Sequence, residues 1–257
     1  MNSSSRVGIS AMIGGGIASL ADLRGLLSIG LPMAIVAAAL WSFADANPDK
    51  SPTAVTMGVE VGLAFVAMYW QRRLLIGAEP MLRRRTDSEI AAVPAPLTRG
   101  YLWRGVALCV AVIAPAVGVS LFLVASRLDG SDADFLRIAV PSIVLCAVMA
   151  LVLGRFFLVF PSLAEGKPMG FGDAWRMGRG QGLKLGLMLI LLTLPELVMI
   201  SAFVLLVPET FLATFPRIVV LNLFLALVRV ATTLVTAAGL AIAWRGLSAN
   251  DIENSFD

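Results

Sequence analysis

The sequence predicts an all-α, polytopic membrane protein, and three observations carry that prediction. Of 257 residues, 58% are apolar and only 14% are charged, whereas a soluble domain carries about a quarter charged. Six apolar runs (25–44, 54–71, 103–126, 136–160, 184–207 and 216–244) come close to or exceed the roughly 20 helical residues that cross about 30 Å of hydrocarbon. None alternates as a barrel strand would, so each reads as a helix. The basic residues are also unevenly shared between the two sets of connections. Fifteen of the 20 Lys and Arg lie on the side holding both termini, and four lie on the other. Short basic loops stay in the cytoplasm. The expected topology is therefore multi-pass in a bacterial inner membrane with both termini cytoplasmic.

Each span has its own boundary signals. Span one follows Arg6 and Arg24. The run from Leu26 to Leu40 before Ala44-Asp45-Ala46 could imitate a signal peptide, but the leader would be unusually long and an odd number of spans would remain. Span two ends on Trp70 to Arg73, and Arg83, Arg84 and Arg85 form the densest charge run after it. Span three carries Cys109 and Pro115, and span four carries Cys146 and ends near Arg155-Phe156-Phe157. Pro161, Gly166 and Pro168 are expected to separate span four from an amphipathic stretch, Phe171 to Gly182. In that stretch Phe171, Ala174, Trp175 and Gly178 share a face, while Asp173, Arg176 and Arg179 point elsewhere. It should lie in the interface plane with Trp175 as its anchor. Ser10 to Leu23 is expected to do the same before span one, although Gly14-Gly15-Gly16 weakens a helix there. Span five starts at Lys184, and span six ends at Trp244-Arg245.

The spans repeat in pairs. Pro32, Pro115 and Pro195 sit in similar surroundings in the odd spans, 83 and 80 residues apart, and each follows a basic residue (Arg24, Arg104, Lys184). The even spans end on Arg73, Arg155 and Arg245, each near aromatic residues, 82 and 90 residues apart. One membrane domain, 1–257, is thus expected as three parallel hairpin repeats, 1–76, 77–160 and 161–250, with a tail 251–257 and interfacial segments on the cytoplasmic side. The middle interfacial copy, Pro80 to Pro96, is the most divergent.

Two stretches carry a family resemblance. Arg155-Phe-Phe-Leu-Val-Phe-Pro161-Ser-Leu-Ala-Glu-Gly166-Lys-Pro168, followed by Asp173-Ala-Trp175-Arg-Met-Gly-Arg179-Gly180, and the run Tyr69 to Gly77 resemble segments of small bacterial six-span membrane proteins. These are common in alphaproteobacteria and are similar to the membrane domain attached to some glycerophosphodiester phosphodiesterases. The resemblance implies a six-span fold. It does not carry the phosphodiesterase activity, whose domain uses histidines and is absent from this chain.

Composition narrows the chemistry further. There are 0 His and 2 Cys, which excludes His-based triads, His-ligated zinc and Cys-ligated clusters. Gly170-Phe-Gly-Asp173 matches an intramembrane aspartyl protease pattern, but such chemistry needs a second carboxyl and no aspartate lies within a span. It reads as a helix start. Gly178 to Lys184 lacks the spacing of a phosphate loop and reads as a flexible link. Cys109 and Cys146 differ in depth by about 10 Å, beyond disulfide reach. No catalytic residue, metal or cofactor is expected. Anionic lipid headgroups are the expected partners of Arg83, Arg84, Arg85, Arg176, Arg179 and Lys184, at about 1 kcal/mol each. A membrane-protein partner is also possible on this reading, and nucleic acid is not, for want of a folded basic domain or aromatic platform.

Glu60, Glu196 and Arg229 remain, each inside a span where a charge costs at least a few kcal/mol. Counted from the outer ends of their spans, Glu196 lies about 16 Å deep and Arg229 about 19 Å. The two are expected to form an intramembrane pair. Glu60, only about 9 Å deep, is expected to be a weaker partner that reaches the interface. The leading functional expectation is a non-enzymatic scaffold, accessory or lipid-associated envelope protein. The alternative is a small permease or lipid-handling transporter that uses these charges.

Overall fold

Residues 7–22, 25–47, 52–76, 95–125, 132–206 and 215–253 are described by a computed structural model, and no strand occurs among them. In chain order the helices are α1 (Ile9–Ser19), α2 (Leu31–Ala46), α3 (Pro52–Ile76), α4 (Ala95–Ala125), α5 (Asp132–Leu153), α6 (Val159–Glu165), α7 (Phe171–Met177), α8 (Gly182–Leu206) and α9 (Phe215–Glu253). A π-helical turn, Leu26–Gly30, leads into α2, and a 3-10 turn, Gly154–Leu158, joins α5 to α6. Among the described residues, five stretches are long and apolar enough to cross a membrane: Leu26–Ala46, Ala54–Ile76, Ile143–Glu165, Gly182–Met199 and Pro216–Ala249. The remaining expected span falls on α4, a continuous helix of 31 residues whose side chains are described in part. Arg83, Arg84, Arg85 and most of the middle interfacial segment lie outside the described residues.

Helix α9 is the axis of the bundle, packing on α1, α2, α3 and α8, while α4 pairs with α5 and α5 packs on α8. The stripe of α9 that meets α2 and α3 is built from Ala226, Val230, Leu234, Ala237 and Ala238, all buried at helical spacing. Small residues let backbones approach closely where no hydrophobic force drives helices together. The same device joins α8 to α5. A Cβ on Gly186 would stand 2.5 Å from the Leu151 Cα and 2.7 Å from the Ala150 carbonyl. Outward faces are apolar and exposed, as in Met57, Val61 and Phe65 on α3, Val144 and Val148 on α5, and Leu183 and Leu194 on α8. Such a surface is unsuited to water and suited to lipid.

Three expectations change. Span four does not end at Pro161. After the 3-10 turn the chain continues as α6, whose residues Val159 to Ala164 are all buried. Pro161 sits in the first turn of α6, where its missing N–H costs nothing. The stop comes at Gly166, whose φ of +90° closes a Schellman motif: Gly166 N–H donates to Leu163 O and Lys167 N–H to Ser162 O. Next, α1 does not merely lie on the interface, because it packs against α9 and α8 with Met12 buried. Its glycines serve that docking, since a Cβ on Gly16 would meet the Val235 carbonyl at 2.8 Å. Span six also continues past Arg245 as one helix to Glu253. Pro115, Pro141 and Pro195 lie inside unbroken helices, as membrane bundles tolerate.

Candidate functional site

Three helices bring their intramembrane charges to one place. Arg229 of α9 donates through Nη1 to Glu196 Oε1 on α8 at 2.7 Å, and through Nη2 to Glu60 Oε1 on α3 at 2.8 Å. A guanidinium has separate N–H edges and stays charged even in a poor solvent, so one Arg can serve two carboxylates on different helices. The sequence reading brought Glu196 and Arg229 together but placed Glu60 near the interface. The structure puts all three in one cluster, because α9 packs on α3 as well as on α8. Depth from a span end measures only the Cα, and the long Arg side chain covers the difference in height.

The cluster is unevenly buried. The Glu196 side chain is 9% exposed, Arg229 35% and Glu60 47%. Glu196 Oε2 is buried and has no hydrogen-bond partner. Cys109, exposed on α4, lies within electrostatic reach of Glu60 and Arg229, so α4 contributes to the same neighbourhood. Among the described residues no group of three His, Cys, Asp or Glu could hold a metal.

A second polar assembly, missed in the sequence reading, sits at the arginine-rich end. Four consecutive residues of α3 reach four partners. Trp70 Nε1 donates to Ser19 Oγ at 3.4 Å, and Gln71 Nε2 donates to Ala237 O at 3.3 Å. Arg72 Nη1 donates to Ala164 O at 2.9 Å, and Arg73 Nε pairs with Asp22 at 2.7 Å. Gln71 Oε1 also accepts from the buried Tyr101 hydroxyl at 3.2 Å. Arg245 donates to the Leu74 and Leu75 carbonyls, satisfying the last turn of α3. Trp244 Nε1 donates to Glu165 Oε2 at 2.6 Å. Near the opposite end of the bundle, Asn222 donates to Ser42 Oγ at 3.2 Å and Asp45 Oδ2 at 2.8 Å. Asking of polar neutral residues inside apolar runs what was asked of the charges would have found Gln71 and Asn222.

The residues expected at headgroups divide. Trp175 is partly exposed, yet its ring stacks on Phe156 with centroids 5.5 Å apart and carries the Arg155 guanidinium at 4.3 Å. It therefore anchors α7 to the bundle as well as facing outward. Arg176 forms an ion pair with Asp173, while Arg179 is exposed and Lys184 half-buried. The Arg176 guanidinium, and then the Gly170 N–H, hold the Asp173 carboxyl below its ordinary value.

A scan against protein-family models, a search of curated proteins and a search of solved structures each give no match to this chain.

Proposed function

We propose that this chain is a non-enzymatic protein of a bacterial inner membrane, with six spans, both termini cytoplasmic and anionic lipids at its cytoplasmic face, working as a small permease. One observation carries the permease reading over a purely structural one: Arg229, in the middle of α9, and Glu60, about two turns into α3, are a third to a half exposed. A charge facing acyl chains is costly, so exposed intramembrane charges face a wet cavity or a polar partner and mark pathways for solutes or ions. The test is counterflow in proteoliposomes preloaded in turn with small amines, amino acids, carboxylates and sugars. At least one class should exchange through the wild type and be lost in Arg229→Gln protein that stays monodisperse. Exchange of none would overturn the reading.

A scaffold or accessory role is the second reading, and the α3 end network favours it. There the polar side chains brace helix to helix, as a rigid frame requires.

A further inference from the structure

The cluster does not balance its own charge. Two carboxylates, Glu60 and Glu196, share the single guanidinium of Arg229, which leaves a formal charge of −1. Glu196 Oε1 is engaged by Arg229, but Oε2 is buried without a partner on a side chain nine-tenths buried. A buried acceptor left unmade is costly, more so on a charged group. Glu60 and Arg229 are partly open, and the exposed thiol of Cys109 on α4 is within electrostatic reach of both.

Resting on the permease reading, we propose that this cluster takes a small organic monocation, its ammonium or guanidinium head compensating the carboxylate excess of Glu60 and Glu196. An ammonium head offers three donors on a compact point charge and so fits one vacant carboxylate oxygen beside a second, half-open carboxylate. A hard metal cation would need six or more oxygen ligands, and among the described residues no group of three His, Cys, Asp or Glu is placed to hold a metal ion. Anionic solutes meet the wrong sign. Neutral ones leave the buried Glu196 oxygen with no countercharge.

The test uses the full chain in lipid nanodiscs, with Cys146→Ser so that Cys109 is the reporter. Its reaction with trimethylammonioethyl methanethiosulfonate is compared with that of the sulfonatoethyl reagent, each rate divided by the rate on free mercaptoethanol. A cluster of net negative charge beside the thiol should favour the cationic reagent about tenfold or more. Propylammonium should slow that reaction. Glu60→Gln, at the half-exposed position least able to upset folding, brings the cluster to neutrality and should bring the ratio near one. Glu60→Gln with Glu196→Gln leaves Arg229 alone and should invert the preference. Reaction with both reagents at equal rates, or a preference unchanged by Glu60→Gln, would overturn the monocation proposal while leaving water access to Cys109 and the permease reading intact. If neither charged reagent reaches Cys109, the permease reading itself fails.

Discussion

Arg229→Gln is the substitution that separates a cooperative cluster from three independent charges. It removes both ion pairs and leaves Glu196, whose side chain is only 9% exposed, with neither oxygen compensated. An uncompensated buried charge typically costs about 3–5 kcal/mol. Glu196→Gln is milder, because Arg229 keeps Glu60 at 2.8 Å and the new amide oxygen can still accept from the guanidinium. About 1 kcal/mol is expected there. Glu60→Gln removes a pair whose carboxylate is 47% exposed, and solvent or headgroup screening holds its effect to about 0.2–1 kcal/mol. The double substitution Glu196→Gln with Arg229→Gln removes the stranded carboxylate, so it should be more stable than Arg229→Gln alone by at least about 1 kcal/mol. Thermal unfolding of detergent-solubilised protein, followed through the five tryptophans, reads these differences. At about 2–4 °C per kcal/mol for a chain of this size, Arg229→Gln should fall by on the order of 10 °C. If the double mutant instead sits at the sum of the single effects within about 0.5 kcal/mol, or if Glu196→Gln costs as much as Arg229→Gln, the cluster is not coupled and the reasoning fails.

Gly186→Ala should force α8 away from α5 and cost about 1–3 kcal/mol, because its Cβ would meet the backbone of Leu151 and Ala150 below 3 Å. Gly58→Ala, with nothing within 4 Å, should be neutral or stabilise α3 by up to about 1 kcal/mol, and equal melting losses at the two sites would refute the packing account. The Asp173 carboxyl is held below its ordinary value of 3.8, so the contribution of its contacts to α7 is complete above that value and is lost as pH falls through the lower folded value. Trp175 emission should therefore be flat from pH 8 to 5 and shift only below about 4; a transition near neutrality would contradict the assignment. Single cysteines at positions 132 and 84, in a background lacking Cys109 and Cys146, should respond oppositely to an impermeant thiol reagent on intact cells, with position 132 labelled. Labelling at 84 would reverse the proposed topology.

Much of the fold was legible because lipid imposes simple rules. The length of an apolar run sets a span, and Leu26–Ala46, Ala54–Ile76, Gly182–Met199 and Pro216–Ala249 lie close to the runs read from sequence. The Glu196–Arg229 contact was legible too, since short connections make neighbours and charges inside a span seek each other. What could not be read was which non-consecutive helices touch. Glu60 joins the cluster only because α9 packs on α3, and no depth count encodes that. The error at Pro161 has a different cause. Proline after an apolar run reads as a stop, whereas in a first helical turn it is a start, and the true stop depends on the positive φ of Gly166. The glycines of α1 misled similarly: read as weakening a helix, they are where α9 approaches.

The two polar assemblies differ in the kind of partner they use, and that difference bears on function. At the α3 end most donors meet backbone carbonyls or neutral groups: Ala237 and Ala164 for Gln71 and Arg72, Leu74 and Leu75 for Arg245, Ser19 for Trp70. A carbonyl cannot change its charge and moves only with its helix, so such contacts fix geometry and offer a ligand little. The mid-bundle cluster is built of three charged side chains, each on its own helix and two of them open to the outside. An incoming charge can compete for the half-exposed Glu60 without breaking a single backbone hydrogen bond. Backbone-anchored contacts thus dominate at the end of α3, whereas the cluster at Arg229 is held by charged side chains alone. A frame built only for rigidity would have no use for a third charge. Apolar side chains of similar volume would hold those helices as well, without the desolvation penalty.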